Sequence, residues 1–370
     1  MQPATPSRRE RSPPRTDDEP PYTLLRSTEV TRGRLELTRP QILAFRRHVG
    51  ALDRRLVPGA RSLRRAAWAG LQDSMPRAAL LSVYARVEGT TEGTWEHPSL
   101  VQLWGPRYSV FVVPERDLPV FSLGTLPDDV RGRRRAEELA ERLRDLLADG
   151  ERITYGEAGR ALGVHPNHLR YAAATGTVLI RWAGARLPTI WTVPPPEVDP
   201  HEARLELARR YLHVSGPTTP AAFAKWAGIG QRHGVEVFEA LGRSLTPVQT
   251  PIGEAWILSR DEPAVRANTR SPAPARLLPS GDPFFLLHGA DRELLVPDPG
   301  QRAELWTPRV WPGALLVDGS IAGTWRRAYE LVSVRTWARL SRGARQAVEA
   351  EAAAMPLPGL RRPVDVRWEG

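Results

Sequence analysis

The stretch Gly70-Leu71-Gln72-Asp73-Ser74-Met75-Pro76-Arg77 holds the side chains best placed for chemistry. Gln72 and Ser74 offer a carboxamide and a hydroxyl two positions apart, and both groups can hold a water. Ser74 is a poor general base, because a serine hydroxyl does not deprotonate near neutral pH. Asp73 stands between them, and helix or turn geometry directs it elsewhere. The same residues also have a plain structural role. Ser74 or Asp73 can cap the helix opened by Pro76, with Gln72 as a turn residue.

What the chain lacks narrows the other chemistries. It has no cysteine, which excludes disulfides, thiolate nucleophiles and cysteine-based zinc sites. Lys225 is its single lysine, so Schiff-base chemistry has one side-chain amine to draw on. That residue sits in Phe223-Ala224-Lys225-Trp226, which reads as a structural helix. His165 and His168 have the i, i+3 spacing of a ligand pair. No His-Glu-x-x-His accompanies them, so they read as phosphate contacts or helix caps and no metal is expected. No Walker motif or glycine-rich phosphate loop occurs, so no nucleotide and no other cofactor is expected.

The elements that must position these residues are those of a folded, multi-domain chain. At 370 residues, two or three domains are expected. With 41% hydrophobic and 25% charged residues and no long apolar run, a soluble protein without a membrane span is expected. Residues 1–26 are rich in Pro, Arg and Ser, lack an apolar signal segment, and read as a disordered basic arm. The expected compartment is the cytoplasm, in association with the nucleoid. The net charge of +10 is carried almost wholly by arginine, and guanidinium binds phosphates and guanine edges in bidentate fashion. Double-stranded DNA is therefore the expected partner.

A unit recurs along the chain: two or three short amphipathic helices, then a β-hairpin. That is the layout of a winged helix, in which the second helix of a helix-turn-helix enters the major groove and the hairpin flanks it. The expected fold class is α+β and helix-rich, with three tandem winged-helix units and a small C-terminal β-rich element. The units span 37–120, 130–195 and 200–260, and the C-terminal element spans 275–370. In the middle unit, helix 132–149 precedes a Thr154-x-x-Glu157 capping box, a helix from His165 to Thr175, and a hairpin around Gly184. The third unit has helices 204–213, 221–227 and 234–243 and a hairpin over 246–258. In the first, Thr38-x-x-Gln41 opens a helix ending near Asp53, followed by helices 62–71 and 76–87 and strands 100–104 and 107–113. The C-terminal element is expected to hold strands 283–288, 293–296, 314–317 and 321–325 and a closing helix 337–354. The candidate DNA-contacting residues are Arg77, Arg107, Asn167, His168, Arg170, Arg181, Arg186 and Arg326.

The segment Gly70-Leu71-Gln72-Asp73-Ser74-Met75-Pro76-Arg77-Ala78-Ala79-Leu80 resembles the Gly-Leu-Gln-x-Gln-x-Pro-Arg-Ala-Ala-Leu pattern of the AlkZ-type DNA glycosylase family. Further segments are similar to it in the same order: Leu37-Thr38-Arg39-Pro40-Gln41, Arg210-Tyr211-Leu212 with Gly216-Pro217, Phe223 to Gly228, Leu277 to Asp282, and Gly319 to Arg326. The resemblance covers about Leu37 to Arg327. It implies three tandem winged-helix units and excision of alkylated or crosslinked bases from DNA. It also implies a Gln-x-Gln or Gln-x-Asp pair that sets a water against the sugar C1′. Gln72 matches the first position of the pair, and Ser74 stands at the second. Asp282 and Arg292 match family positions, as a salt bridge or as support for the site. With one lysine, in a helix, a monofunctional enzyme is expected. The alternative is a non-catalytic DNA-binding relative, for damage recognition or regulation, that has lost the second side chain.

Overall fold

The computed structural model describes residues 34–370, apart from 74, 76, 148–149, 185–186, 268–271, 361 and 370. Ser74, Arg186 and the N-terminal arm thus lie outside the described residues. The fold is mixed α+β, with three small three-stranded sheets and one five-stranded sheet.

Local signals place the helix starts. Thr38 and Thr154 each complete a capping box, with Gln41 and Glu157 answering the cap's own N–H. Thr219 accepts from the amide of Ala222 and is followed by Pro220 in the first turn. The helices so opened run Arg39–Val49, Tyr155–Ala161 and Pro220–Ala227.

Strand β1 (Leu35–Glu36) precedes the first helix. Helices Ala60–Ala66 and Ala78–Tyr84 then flank β2 (Leu71–Gln72). The helix expected over 62–71 therefore ends early, and its last residue is a strand residue. β3 (Leu100–Trp104) and β4 (Val110–Pro114) form a hairpin, and β2 joins the free side of β4. Leu63, Leu71, Val83 and Val112 make the small core beneath them.

The next helix spans Val130–Leu146, with Ala136, Leu139, Ala140 and Leu143 buried along one face. β5 (Ile153–Thr154), β6 (Val178–Arg181) and β7 (Thr189–Thr192) form its sheet. The helix expected from His165 is a 3₁₀ helix, Pro166–Thr175. Its buried Leu169 and Ala172 are three apart, the repeat of that tighter helix.

Helices Pro200–Ser215, Pro220–Ala227 and Gln231–Leu241 lead into the hairpin β8 (Leu245–Thr250) and β9 (Gly253–Leu258). β1 adds to β8 in parallel. The helix Arg39–Val49 follows it, burying Ile42 and Phe45 against Val248, Ala255 and Ile257. The chain's first described helix thus packs on the third of these sheets, although its sequence lies beside the first.

The C-terminal sheet is ordered β10 (Ala275–Leu278), β11 (Gly313–Val317), β12 (Ser320–Ala328), β13 (Leu331–Thr336) and β14 (Asp365–Glu369). Asp318 and Gly319, both at positive φ (46° and 81°), make the β11–β12 turn, as this dipeptide favours. The segments 283–288 and 293–296 are not strands. Asp282 takes the amides of Phe285 and Leu286 on its carbonyl and that of Phe284 on its carboxylate, which winds this stretch into turns. Residues 293–295 lie in the helix Asp291–Leu295. The closing helix is Arg342–Ala353, because Ser341 caps it and the residues before Trp337 belong to β13.

Candidate active site

Gln72 ends β2, paired with Phe111 of β4. Successive strand residues face opposite sides, so Leu71 and Asp73 are buried while Gln72 is half-buried. Its side chain reaches a cavity of about 420 Å³, whose walls include Met75, Arg107, Gly281, His288, Arg309 and Trp311. That volume falls within the range of small-ligand sites, roughly 300–1,000 Å³. The residues come from distant parts of the chain: β2, the segment that follows it and the β3–β4 turn supply Gln72, Met75 and Arg107, and the segment after β10 supplies Gly281, His288, Arg309 and Trp311.

Arg107 fixes the Gln72 amide. Its Nη2 donates to Gln72 Oε1 at 3.1 Å, and its Nη1 donates to the carbonyl of Trp226 at the end of a helix. The arginine sits at the β3–β4 turn with φ of 56°. A Cβ at Gly228, itself at positive φ, would lie only 3.0 Å from the Arg107 amide nitrogen, so glycine there is what lets the two backbones meet. Burial pushes the guanidinium down to about 10, and it stays charged at neutral pH. Arg107, a candidate DNA contact in the sequence, is thus placed on the wall of the cavity.

His288 lies on the same wall. Burial, then the charges of Arg107, Arg292 and Lys225, push its imidazole down to about 3. The ring is neutral at physiological pH, and its Nε2 is buried without a hydrogen-bond partner among the described residues. A neutral imidazole beside a fixed carboxamide can orient a water or a heterocycle edge, but it lacks the imidazolium proton that a general acid would donate.

Asp73 turns away from the cavity. Its Oδ1 accepts from the Ala79 amide at 3.0 Å and its Oδ2 from Gln102 Nε2 at 2.8 Å. It therefore ties down the start of helix Ala78–Tyr84, the capping role open to it in the sequence. Burial pushes its carboxyl up to about 7, partly offset by the Ala79 amide and the Arg77 charge. The sign for stability follows from linkage. A raised carboxyl holds its proton in the folded state at pH values where the unfolded chain has lost it. That contribution is complete below the unfolded carboxylate range and is lost as pH rises through about 7. The thermal midpoint of the parent should therefore fall more steeply than that of Asp73→Asn as pH rises from the ordinary carboxylate range to about 7, and run parallel to it above that. Curves parallel over the whole pH series of melts would show that Asp73 is ionised throughout.

The other sequence candidates are scattered. The guanidinium carbons of Arg77 and Arg181 lie 4.6 and 4.8 Å from the ring centre of one tryptophan, Trp95. Arg170 lies 5.9 and 5.6 Å from the rings of Tyr108 and Tyr171. Asn167 and His168 are exposed, and His165 accepts from the Asn167 amide as a cap. Arg326 is exposed and donates to the carbonyl of Val310. It borders a groove that shares Met75, Ser280, Val310 and Trp311 with the Gln72 cavity. Asp282 and Arg292 do not pair. Asp282 is fully buried and bonded to Arg86 and Ser82. Arg292 donates to the carbonyl of Leu287 and lies 5.0 and 5.2 Å from the Trp306 and Trp311 rings. Two hundred positions separate Ser82 from Asp282, so nothing local in the sequence marks that partner.

Sequence reasoning missed His288, Arg309 and Trp311. No motif marks them, because each becomes a wall residue only when the chain after β10 folds back over the first sheet. Among the described residues, no group of three or more His, Asp or Glu could hold a metal ion, and no helix is long and apolar enough to cross a membrane.

A family model described as "DNA glycosylase AlkZ-like" matches residues 65–356. Among solved structures, the Streptomyces sahachiroi DNA glycosylase AlkZ is similar in fold, with a TM-score of 0.73 and 20% sequence identity. The match covers 90% of this chain and 100% of that one. No curated protein matches the sequence.

Proposed function

The chain belongs to the AlkZ-like DNA glycosylase family, and on that premise we propose that it hydrolyses the N-glycosylic bond of an alkylated base in duplex DNA. The observation that carries this reading is the Gln72 carboxamide, held by Arg107 on the wall of a cavity of ligand size. The target nucleotide would have to leave the base stack to reach it. A water oriented by Gln72 attacks C1′ as the C1′–N bond breaks. The bond's electron pair departs with the base, and the water's proton passes to solvent. A cationic alkylated base leaves as a neutral molecule, so little acid catalysis is required. That suits a site whose imidazole is neutral and whose lining, among the described residues, holds no carboxyl, Asp73 being bonded to Gln102 instead.

Lys225 does not line this cavity. An amine-dependent strand nick is therefore no part of the reading, and the product is an intact abasic strand. We assign the three helix-plus-sheet units as winged helices. Arg170, Arg181, Asn167 and His168 of the second unit and Arg326 near the groove are the proposed duplex contacts, with Arg186 and Ser74 as candidates outside the described residues.

The test is single-turnover incubation with alkylated duplex, with released bases read by mass and abasic sites by alkali. Release of the alkylated base without direct strand cleavage is the expected result. Binding of undamaged duplex should weaken with salt, each neutralised phosphate adding about −0.9 to the slope of log K against log salt. Salt-dependent binding with no release would leave the non-catalytic reading, to which a serine at the second motif position lends support.

A further inference from the structure

We propose that Gln102 and Trp95 are positioning residues that brace Asp73, next to Gln72, and Arg77 against the hairpin of the second unit. This rests on the reading of Gln72 as the reactive carboxamide.

The brace has two arms. In the first, Gln102 of β3 is 2% exposed, and its amide joins two segments far apart in sequence. Its Nε2 donates to Asp73 Oδ2 at 2.8 Å, while its Oε1 accepts from the Trp182 amide at 2.6 Å. Nε2 also lies 3.4 Å from the Trp182 carbonyl. Trp182 is the residue immediately after β6. In the second arm, the guanidinium groups of Arg77 and Arg181 share the Trp95 ring, which is 3% exposed. Arg181 is the last residue of β6.

Two adjacent residues of the second unit's hairpin are therefore tied, through Gln102 and Trp95, to two points of the first unit. One is Asp73, directly after Gln72. The other is Arg77, directly before helix Ala78–Tyr84 and held at φ of 66°. A side-chain amide with both of its polar atoms engaged away from water has one orientation that satisfies them, and a different one would leave buried groups unpaired. Asp73 is also held by its own N–H on the Val110 carbonyl and by the Ala79 N–H on its Oδ1. The direction of the Gln72 amide is thus set by a neighbouring unit as well as by the strand that carries it.

Two substitutions at Gln102 test the first arm. Gln102→Leu removes both bonds and should lower single-turnover excision about 100-fold, the usual scale for a reacting group misplaced by about 1 Å. Affinity for undamaged duplex should be unchanged. Gln102→Glu keeps the acceptor for Trp182 and donates to Asp73 only while protonated. The charged and polar groups facing Asp73 are the Arg77 guanidinium and the amides of Ala78 and Ala79. The Glu–Asp pair should hold one proton in acid, with excision near the parent's at about pH 6, and lose it as pH rises, when two carboxylates repel. A mere packing role would give no such pH dependence relative to the parent. Should Gln102→Leu fail to fold, Gln102→Glu carries the test.

Amide exchange tests both arms without reference to activity. Arg181→Ala changes the hairpin and Trp95→Leu the ring between the two arginines, yet each should speed exchange of the Ala79 and Asp73 amides, neither of which bonds to the changed residue. Parental exchange rates in these variants, or parental excision by Gln102→Leu, would overturn the brace. If the parent released no base while exchange responded as expected, the brace would stand and the excision reading alone would fall.

Discussion

Replacing Gln72 with alanine lowers single-turnover base release by about 100- to 1,000-fold, the scale for removing one preorganised hydrogen-bonding group from a reaction site. The loss is confined to chemistry. Gln72 lies on the wall of the cavity, its carbonyl oxygen already engaged by Arg107. The arginines proposed for duplex contact lie elsewhere, so affinity for undamaged duplex should match the parent's. The strand itself survives the change, because Leu71 and Val112 make the core contact beneath it. Ser74→Gln and Ser74→Asp should move the other way and raise release, since each restores a longer polar group at the second motif position. A Gln72→Ala variant that released base at the parental rate would remove this site from the reaction.

Replacing Asp282 with alanine should unfold or severely destabilise the protein, by about 3–5 kcal/mol, the cost of leaving one member of a buried ion pair without its partner. Arg86 meets Asp282 through two bonds of 2.7 Å, one to each carboxylate oxygen. Ser82 Oγ and the Phe284 amide take the remaining acceptor positions at 2.7 and 3.0 Å. Both side chains are buried, at 0% and 3% exposure, so no water can replace a missing partner. Arg86, just after helix Ala78–Tyr84, and Ser82 within it tie that part of the chain to the segment after β10, which supplies Gly281, His288 and Trp311 to the wall of the Gln72 cavity. Asp282 has no free oxygen for a substrate, so whatever Asp282→Ala remains folded should release base at the parental rate per active molecule. The double change Asp282→Leu with Arg86→Met should recover part of the lost stability, because an apolar pair leaves no charge stranded. Chemical denaturation of the three proteins decides the point. A stable but inactive Asp282→Ala would make this residue part of the chemistry instead.

Some of the site is legible in the sequence alone. Gln72 was marked by its motif, and strand alternation explains why its neighbour Asp73 cannot share its face. Arg107 was legible only as an arginine. A guanidinium that binds phosphate, stacks on tryptophan or holds a carboxamide looks the same in a sequence, since one planar fork serves all three. Arg77, Arg107, Arg181 and Arg292 illustrate this: two share Trp95, one holds Gln72, and one lies against Trp306 and Trp311.

The sequence by itself determined what depends on neighbours within about four residues. Thr38, Thr154 and Thr219 start helices because their hydroxyls reach amides three positions on. Asp318-Gly319 turns a hairpin because both residues tolerate positive φ. Only the tertiary structure decided which distant surfaces meet. The helix Arg39–Val49 lies on the third sheet because β1 pairs with β8 and carries the helix there. The segment 283–288 has the apolar run of a strand, yet Asp282 gathers its first amides into turns once Arg86 and Ser82 have fixed that carboxylate. His288 becomes a wall of the Gln72 cavity by the same folding back. Its neutrality, too, comes from burial and three cations supplied by separate parts of the chain. Short-range hydrogen bonds are written in residue spacing, whereas burial and charge at a point in space are sums over residues that only packing brings together.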